Sequence, residues 1–100
     1  MTATAPAISP PHGAPIAERA LTLDPQVALR PEPFGALAYH YGTRRLVFLK
    51  HPDVVGVVRA LGEHASVSAA LDACRIAPER RPAFERALAA LLDSGILCAR

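Results

Sequence analysis

Cysteine is scarce in this 100-residue chain: only Cys74 and Cys98 occur, and they form no C-x-x-C. Two such thiols, with no export signal beside them, read as a small core residue and a near-terminal one, which excludes a disulfide framework. Long hydrophobic runs are also missing. Half the residues are apolar, yet no stretch approaches the roughly 20 consecutive residues of a membrane helix, so no membrane partner is expected. The N-terminus lacks the basic and continuous apolar regions of a secretory signal, and a cytoplasmic protein is the expectation. Charge of one sign is not in excess either. Eleven basic against nine acidic residues leave +2, too little to name a partner by charge alone.

Catalytic signatures are absent as well. His12, His40, His51 and His64 show no ligand spacing, so no metal is expected. Gly35, Gly42 and Gly56 stand alone, which excludes a phosphate-cradling loop, and no G-x-S-x-G accompanies the scattered Ser, His and Asp. A chain whose folded part is about 80 residues buries only about 60–65% of its unfolded surface, leaving little interior for an enclosed pocket. Surface recognition is expected rather than catalysis, with no catalytic, cofactor-binding or metal residues assigned.

What is present begins after residue 20. Residues 1–20 carry Pro6, Pro10, Pro11 and Pro15 among Ala, Thr and Ser, a composition expected to form a disordered tail. Residues 21–100 form the domain, organised around VALRPEPFGALAYHYGTRRLVFLK at 27–50. Val27 and Leu29 alternate with Ala28 and Arg30 in a first strand, which Pro31 and Pro33 either end or leave with an unpaired side. Leu37, Tyr39 and Tyr41, then Leu46 and Phe48, alternate with smaller residues in a hairpin. A II′ turn at Gly42-Thr43 pairs Tyr39 with Leu46 and Leu37 with Phe48, and a four-residue loop at 42–45 keeps the same parity. The bulky face is expected to pack on Val54, Val58, Leu88 and Leu91. Ala36, Ala38, Val47 and Leu49 would then form a second apolar face.

Three helices follow. Pro52 and Asp53 start the first, with Val54, Val57, Val58 and Leu61 at helical spacing up to Gly62. Ser66 caps the second, which carries Val67, Ala70, Leu71 and Cys74. Pro82 suits the first turn of the third, Phe84, Leu88, Leu91 and Leu92 form its apolar stripe, and Gly95 ends it. Ile96 and Leu97 come off extended and pack back on the core. The class is α+β: a three-stranded antiparallel sheet, then three helices.

Residues 45–49 are expected at a sheet edge, with unpaired N–H and C=O groups guarded only by Arg44, Arg45 and Lys50. If the pair flanking the turn is hydrogen-bonded, alternation directs the Val47 N–H outward. The alternative reading is a winged-helix DNA-binding regulator whose second and third helices present Arg80, Arg81 and Arg86. Four arginines against three acids over residues 77–100 net only +1, far from the basic stripe that phosphate binding requires.

The strands-then-helices order, the 27–50 segment and the closing ALLDSGIL resemble the MftB peptide chaperones of mycofactocin biosynthesis over about residues 21–97. That family is similar to the PqqD-like RiPP recognition elements, winged-helix-like domains that bind the leader of a ribosomally made precursor peptide. The resemblance implies strand addition at residues 45–49, in a groove completed by about 81–92 of the third helix. It implies a peptide-binding set of Arg44, Arg45, Leu46, Val47, Phe48, Leu49, Arg81, Phe84, Glu85 and Leu88. The implied partners are the precursor peptide MftA and the radical SAM maturase MftC, with no nucleic acid. Iron–sulfur clusters and S-adenosylmethionine would belong to the maturase, and this chain would need no cofactor. Homodimerisation through the open edge is left open.

Overall fold

A computed structural model describes residues 15–100. Most of the expected tail therefore lies outside the described residues. Its last part does not: Ile16–Glu18 form a 3-10 turn, and Ile16 packs against the core.

Strands β2 (Val27–Glu32), β3 (Gly35–His40) and β4 (Leu46–Leu49) make an antiparallel sheet in the order β2-β3-β4. Helices α1 (Pro52–Ala60), α2 (Val67–Ala73) and α3 (Arg81–Asp93) follow, as the sequence order predicts. A second pairing was not predicted. Strand β1 (Leu21–Leu23) pairs with β5 (Leu97–Ala99), joining the two ends of the domain. Leu21, Ile96 and Leu97 are thereby buried.

Helix boundaries follow local chemistry. Pro52 sits in the first turn of α1, and the His51 imidazole Nδ1 accepts the Asp53 N–H at 3.1 Å. Ser66 Oγ accepts the Ala69 N–H at 3.1 Å to cap α2. At the end of α3, Gly95 takes φ +84°, its N–H reaching the Leu92 carbonyl while that of Ile96 reaches Leu91. This pair of bonds closes the helix as a Schellman motif. Helix α2 ends the same way, through Arg75 N–H to Asp72 and Ile76 N–H to Leu71, but with a side chain at the left-handed position: Arg75 has φ +60°.

The hairpin register is the predicted one, Tyr39 opposite Leu46 and Leu37 opposite Phe48. Its turn differs from both predicted forms. His40 N–H bonds to the Arg45 carbonyl, Arg44 N–H bonds back to the His40 carbonyl, and Arg44, not Gly42, is left-handed at φ +65°. The loop is thus residues 41–44. It is held by the buried His40, whose Nδ1 accepts the N–H groups of Gly42 (3.0 Å) and Thr43 (3.1 Å).

The predicted inward face is the wrong one. Ala36 and Ala38 have no exposure and Leu49 only 4%, whereas Leu46 is 59% and Phe48 45% exposed. Leu37 and Tyr39 are half-buried on that same outer face. The physical reason is volume. Val57, Val58 and Leu61 of the α1 region, with Leu71, Phe84 and Leu88, already fill much of the core, and β3 meets it through the small side chain of Ala38 while β4 adds Leu49. A Cβ on Gly35 would stand 1.7 Å from the Leu49 carbonyl oxygen, so β4 leaves the sheet across a position that only glycine permits.

Two outcomes are expected from urea denaturation. Ala38→Leu, which overfills the inner face, destabilises by about 1–3 kcal/mol, whereas Phe48→Ala, truncating a half-exposed ring, costs about 1 kcal/mol or less. Arg75→Gly relieves the left-handed side chain and stabilises by about 0.5–1 kcal/mol, raising the melting temperature by about 2–8 °C.

Candidate functional site

Strand β4 is a sheet edge, and the hydrogen-bond alternation settles which of its groups are free. In β3, Tyr41 N–H bonds to the Gln26 carbonyl on the β2 side, and His40 N–H bonds to Arg45 on the β4 side. Alternation from these two bonds turns Ala36 and Ala38 toward β4, so Leu49 and Val47 face inward in the ladder. The N–H and C=O groups of Leu46 and Phe48 point outward. The expectation that the Val47 N–H is free is therefore corrected. It assumed a hydrogen-bonded pair one residue nearer the turn than the one that forms. The same alternation places Pro31 at a non-hydrogen-bonded pair with Ala36, so its missing N–H costs β2 nothing on the paired side.

Below this edge lies an apolar groove of about 300 Å3, lined by Val47, Phe48, Leu49, Lys50, His51, Val54, Ala87, Ala90 and Leu91. It continues past the end of β4 into a second hollow of about 430 Å3, lined by His51, Val54, Glu79, Arg80, Ala83 and Phe84. His51 and Val54 are common to both, so one furrow follows α3 from Leu91 to Arg80. Ala83, Ala87 and Ala90, at i, i+4 and i+7, form its floor on the helix side.

The far end is polar. The Arg80 guanidinium stands 5.1 Å from the centre of the Phe84 ring and 3.0 Å from Asp53 Oδ2. Asp53 in turn lies at the first turn of α1, where its carboxylate is favoured by the helix dipole. Elsewhere, burial and, second, the nearby Asp24 charge raise the Cys98 thiol above its ordinary value. Among the described residues, no three His, Cys, Asp or Glu side chains gather as a metal-holding group, and no helix is long and apolar enough to cross a membrane. The arrangement can bind an extended chain.

Of the predicted site residues, Val47, Phe48, Leu49 and Phe84 line the furrow, and Leu46 shares its edge. Arg44 and Arg45 flank the edge at its turn end, both exposed. Arg81 does not line it: its guanidinium bonds to Asp72 and the Ile76 carbonyl, on the side of α2. Leu88 is wholly buried in the core, and half-buried Glu85 is not among the lining residues. The residues missed are Lys50, His51, Val54, Glu79, Arg80, Ala83, Ala87, Ala90 and Leu91. The alanine stripe was the available signal, being the small-residue face next to the bulky one on α3.

A family model described as the peptide chaperone MftB family matches residues 20–98. The chain is 49% identical over 72 residues to the peptide chaperone MftB of Mycolicibacterium smegmatis, covering 72% of this chain and 71% of that protein. It is 44% identical over 80 residues to the protein of that name from Mycobacterium ulcerans, covering 80% and 73%. For that of Mycobacterium tuberculosis the identity is 40% over 83 residues, covering 83% and 76%. No solved structure matches the chain significantly. Nothing in these comparisons supports the DNA-binding alternative, and Arg80 and Arg81 are each engaged by a carboxylate, Asp53 and Asp72.

The Arg80–Asp53 pair is an exposed one, with side chains 43% and 45% accessible. Arg80→Ala is therefore expected to change stability by less than about 1 kcal/mol while uncovering Phe84, a split that urea denaturation and ring-proton NMR shifts would show together.

Proposed function

The chain belongs to the peptide chaperone MftB family, and on that premise we propose that it binds the leader of a ribosomally made precursor peptide as a fourth strand on β4. The precursor would be the mycofactocin peptide MftA, presented to the radical SAM maturase MftC. One observation carries the reading: the outward N–H and C=O groups of Leu46 and Phe48 lie directly above an apolar furrow.

Strand addition uses both features. Main-chain hydrogen bonds at Leu46 and Phe48 give affinity that tolerates sequence variation, and leader residues opposite Val47 and Leu49 send their side chains into the furrow against Ala87, Ala90 and Leu91. Phe84 and Arg80 at its far end offer an aromatic and a charged contact. Arg44 and Arg45 favour an acidic leader at the turn end. Arg81 and Leu88 act only by fixing α3 against α2 and the core. By holding leader and maturase at once, the chaperone raises the effective concentration of the peptide's modified end at the enzyme. No catalytic group is required of this chain, and iron–sulfur and S-adenosylmethionine chemistry rests with the maturase.

The test is calorimetric titration with a synthetic leader peptide. Phe48→Pro, which deletes an outward donor, should weaken binding by about tenfold or more, while Phe48→Ala, which keeps it, stays within about threefold. Amide exchange should slow at Leu46 and Phe48 on peptide addition. Equal binding by the two variants, both folded, together with unchanged exchange, would sink strand addition.

A further inference from the structure

The outer face of the sheet has no role in the reading above. Directly paired residues place Arg30, Leu37 and Phe48 in one row and Ala28, Tyr39 and Leu46 in the next. Tyr41 continues the face beyond the strands, its ring edge-on to that of Tyr39 with centroids 5.2 Å apart. Tyr41, Leu46 and Phe48 are 61%, 59% and 45% exposed, and no helix among the described residues covers them. Such a cluster of large apolar and aromatic side chains on a small domain marks an interface core.

Charge selects the occupant. Over residues 27–50 there are four basic residues, Arg30, Arg44, Arg45 and Lys50, against one acid, Glu32: 4 − 1 = +3, while the whole chain carries +2. The sheet is thus the basic half of a molecule whose remainder nets 2 − 3 = −1. A second copy placed face to face would set these arginines against one another. An apolar surface ringed by carboxylates meets no such repulsion.

Geometry then ties this face to the peptide edge. An added strand sends alternate side chains to opposite faces, so residues opposite Val47 and Leu49 enter the furrow while those opposite Leu46 and Phe48 extend the two outer rows. We propose that the outer face is the docking surface for the maturase, through an apolar patch ringed by carboxylates on that enzyme, and that the bound leader completes it as a fourth strand. The first part stands on exposure and charge alone; the second rests on the strand-addition reading. Enzyme docking is then tighter on the loaded chaperone than on the free one, and by linkage the enzyme tightens leader binding by the same factor.

The experiment measures affinity of the full chain for purified maturase, with and without synthetic leader peptide. Tyr39→Ser combined with Tyr41→Ser lies off the edge strand. It should lower maturase affinity about tenfold or more while leader affinity stays within about twofold. Arg30→Glu, at an exposed position where Arg30 pairs with Glu32 at 3.2 Å, should also weaken the maturase and reduce the salt dependence of its binding. Wild-type maturase affinity in both variants would overturn the docking surface, whether or not leader still binds β4. A concentration-dependent dimer of the wild-type chain that the double variant abolishes would assign the face to a second copy and overturn it too. If docking is lost in the variants yet leader never alters maturase affinity, the fourth-strand part is overturned.

Discussion

The close approach of helices to the inner face of the sheet is the constraint on which the rest depends. Ala36 and Ala38 are fully buried, and Ala38 belongs to the same core cluster as Val57 and Val58. With Ala36, Ala38 and Leu49 turned inward, strand alternation carries Leu37, Tyr39, Leu46 and Phe48 to the outer face. An apolar outer face is thus a by-product of how the core closes, and the edge strand inherits both faces.

That constraint also explains what was legible in the sequence. Period-two alternation and turn parity gave the pairing of Tyr39 with Leu46, because register depends only on which residues share a side. Which side faces the core is a separate question, decided by the volume the helices supply, and large residues alone could not answer it. The Pro52 start of α1 and the caps at Ser66 and Gly95 were legible because each is set locally, whereas the His51 cap was not read. Strand β1 was not: three residues pair with a partner at the other end of the chain, and no periodicity spans that distance.

The site was read in part for a similar reason. Val47, Phe48 and Leu49 follow from the edge itself, whereas of the expected helix residues only Phe84 lines the furrow. Bulky residues such as Leu88 draw attention and go to the core. The furrow is made by Ala83, Ala87 and Ala90, whose contribution is the space they leave. The orientation of the edge donors turned on a single residue of loop position, fixed by the imidazole of His40, a buried polar group with no sequence signature.

The β1–β5 pairing has a consequence for how the fold could be used. Arg100 N–H bonds to the Ala20 carbonyl at 2.9 Å, so residues 20 and 100 lie side by side, with the Ile16–Glu18 turn packed just ahead of them. A host protein that carried residues 20–100 as an insert in a surface loop would have its two junctions side by side. The edge β4 and its furrow lie on other elements, and grafting at the β1–β5 seam would leave them open. In engineering terms, the domain is a cassette with a single attachment point.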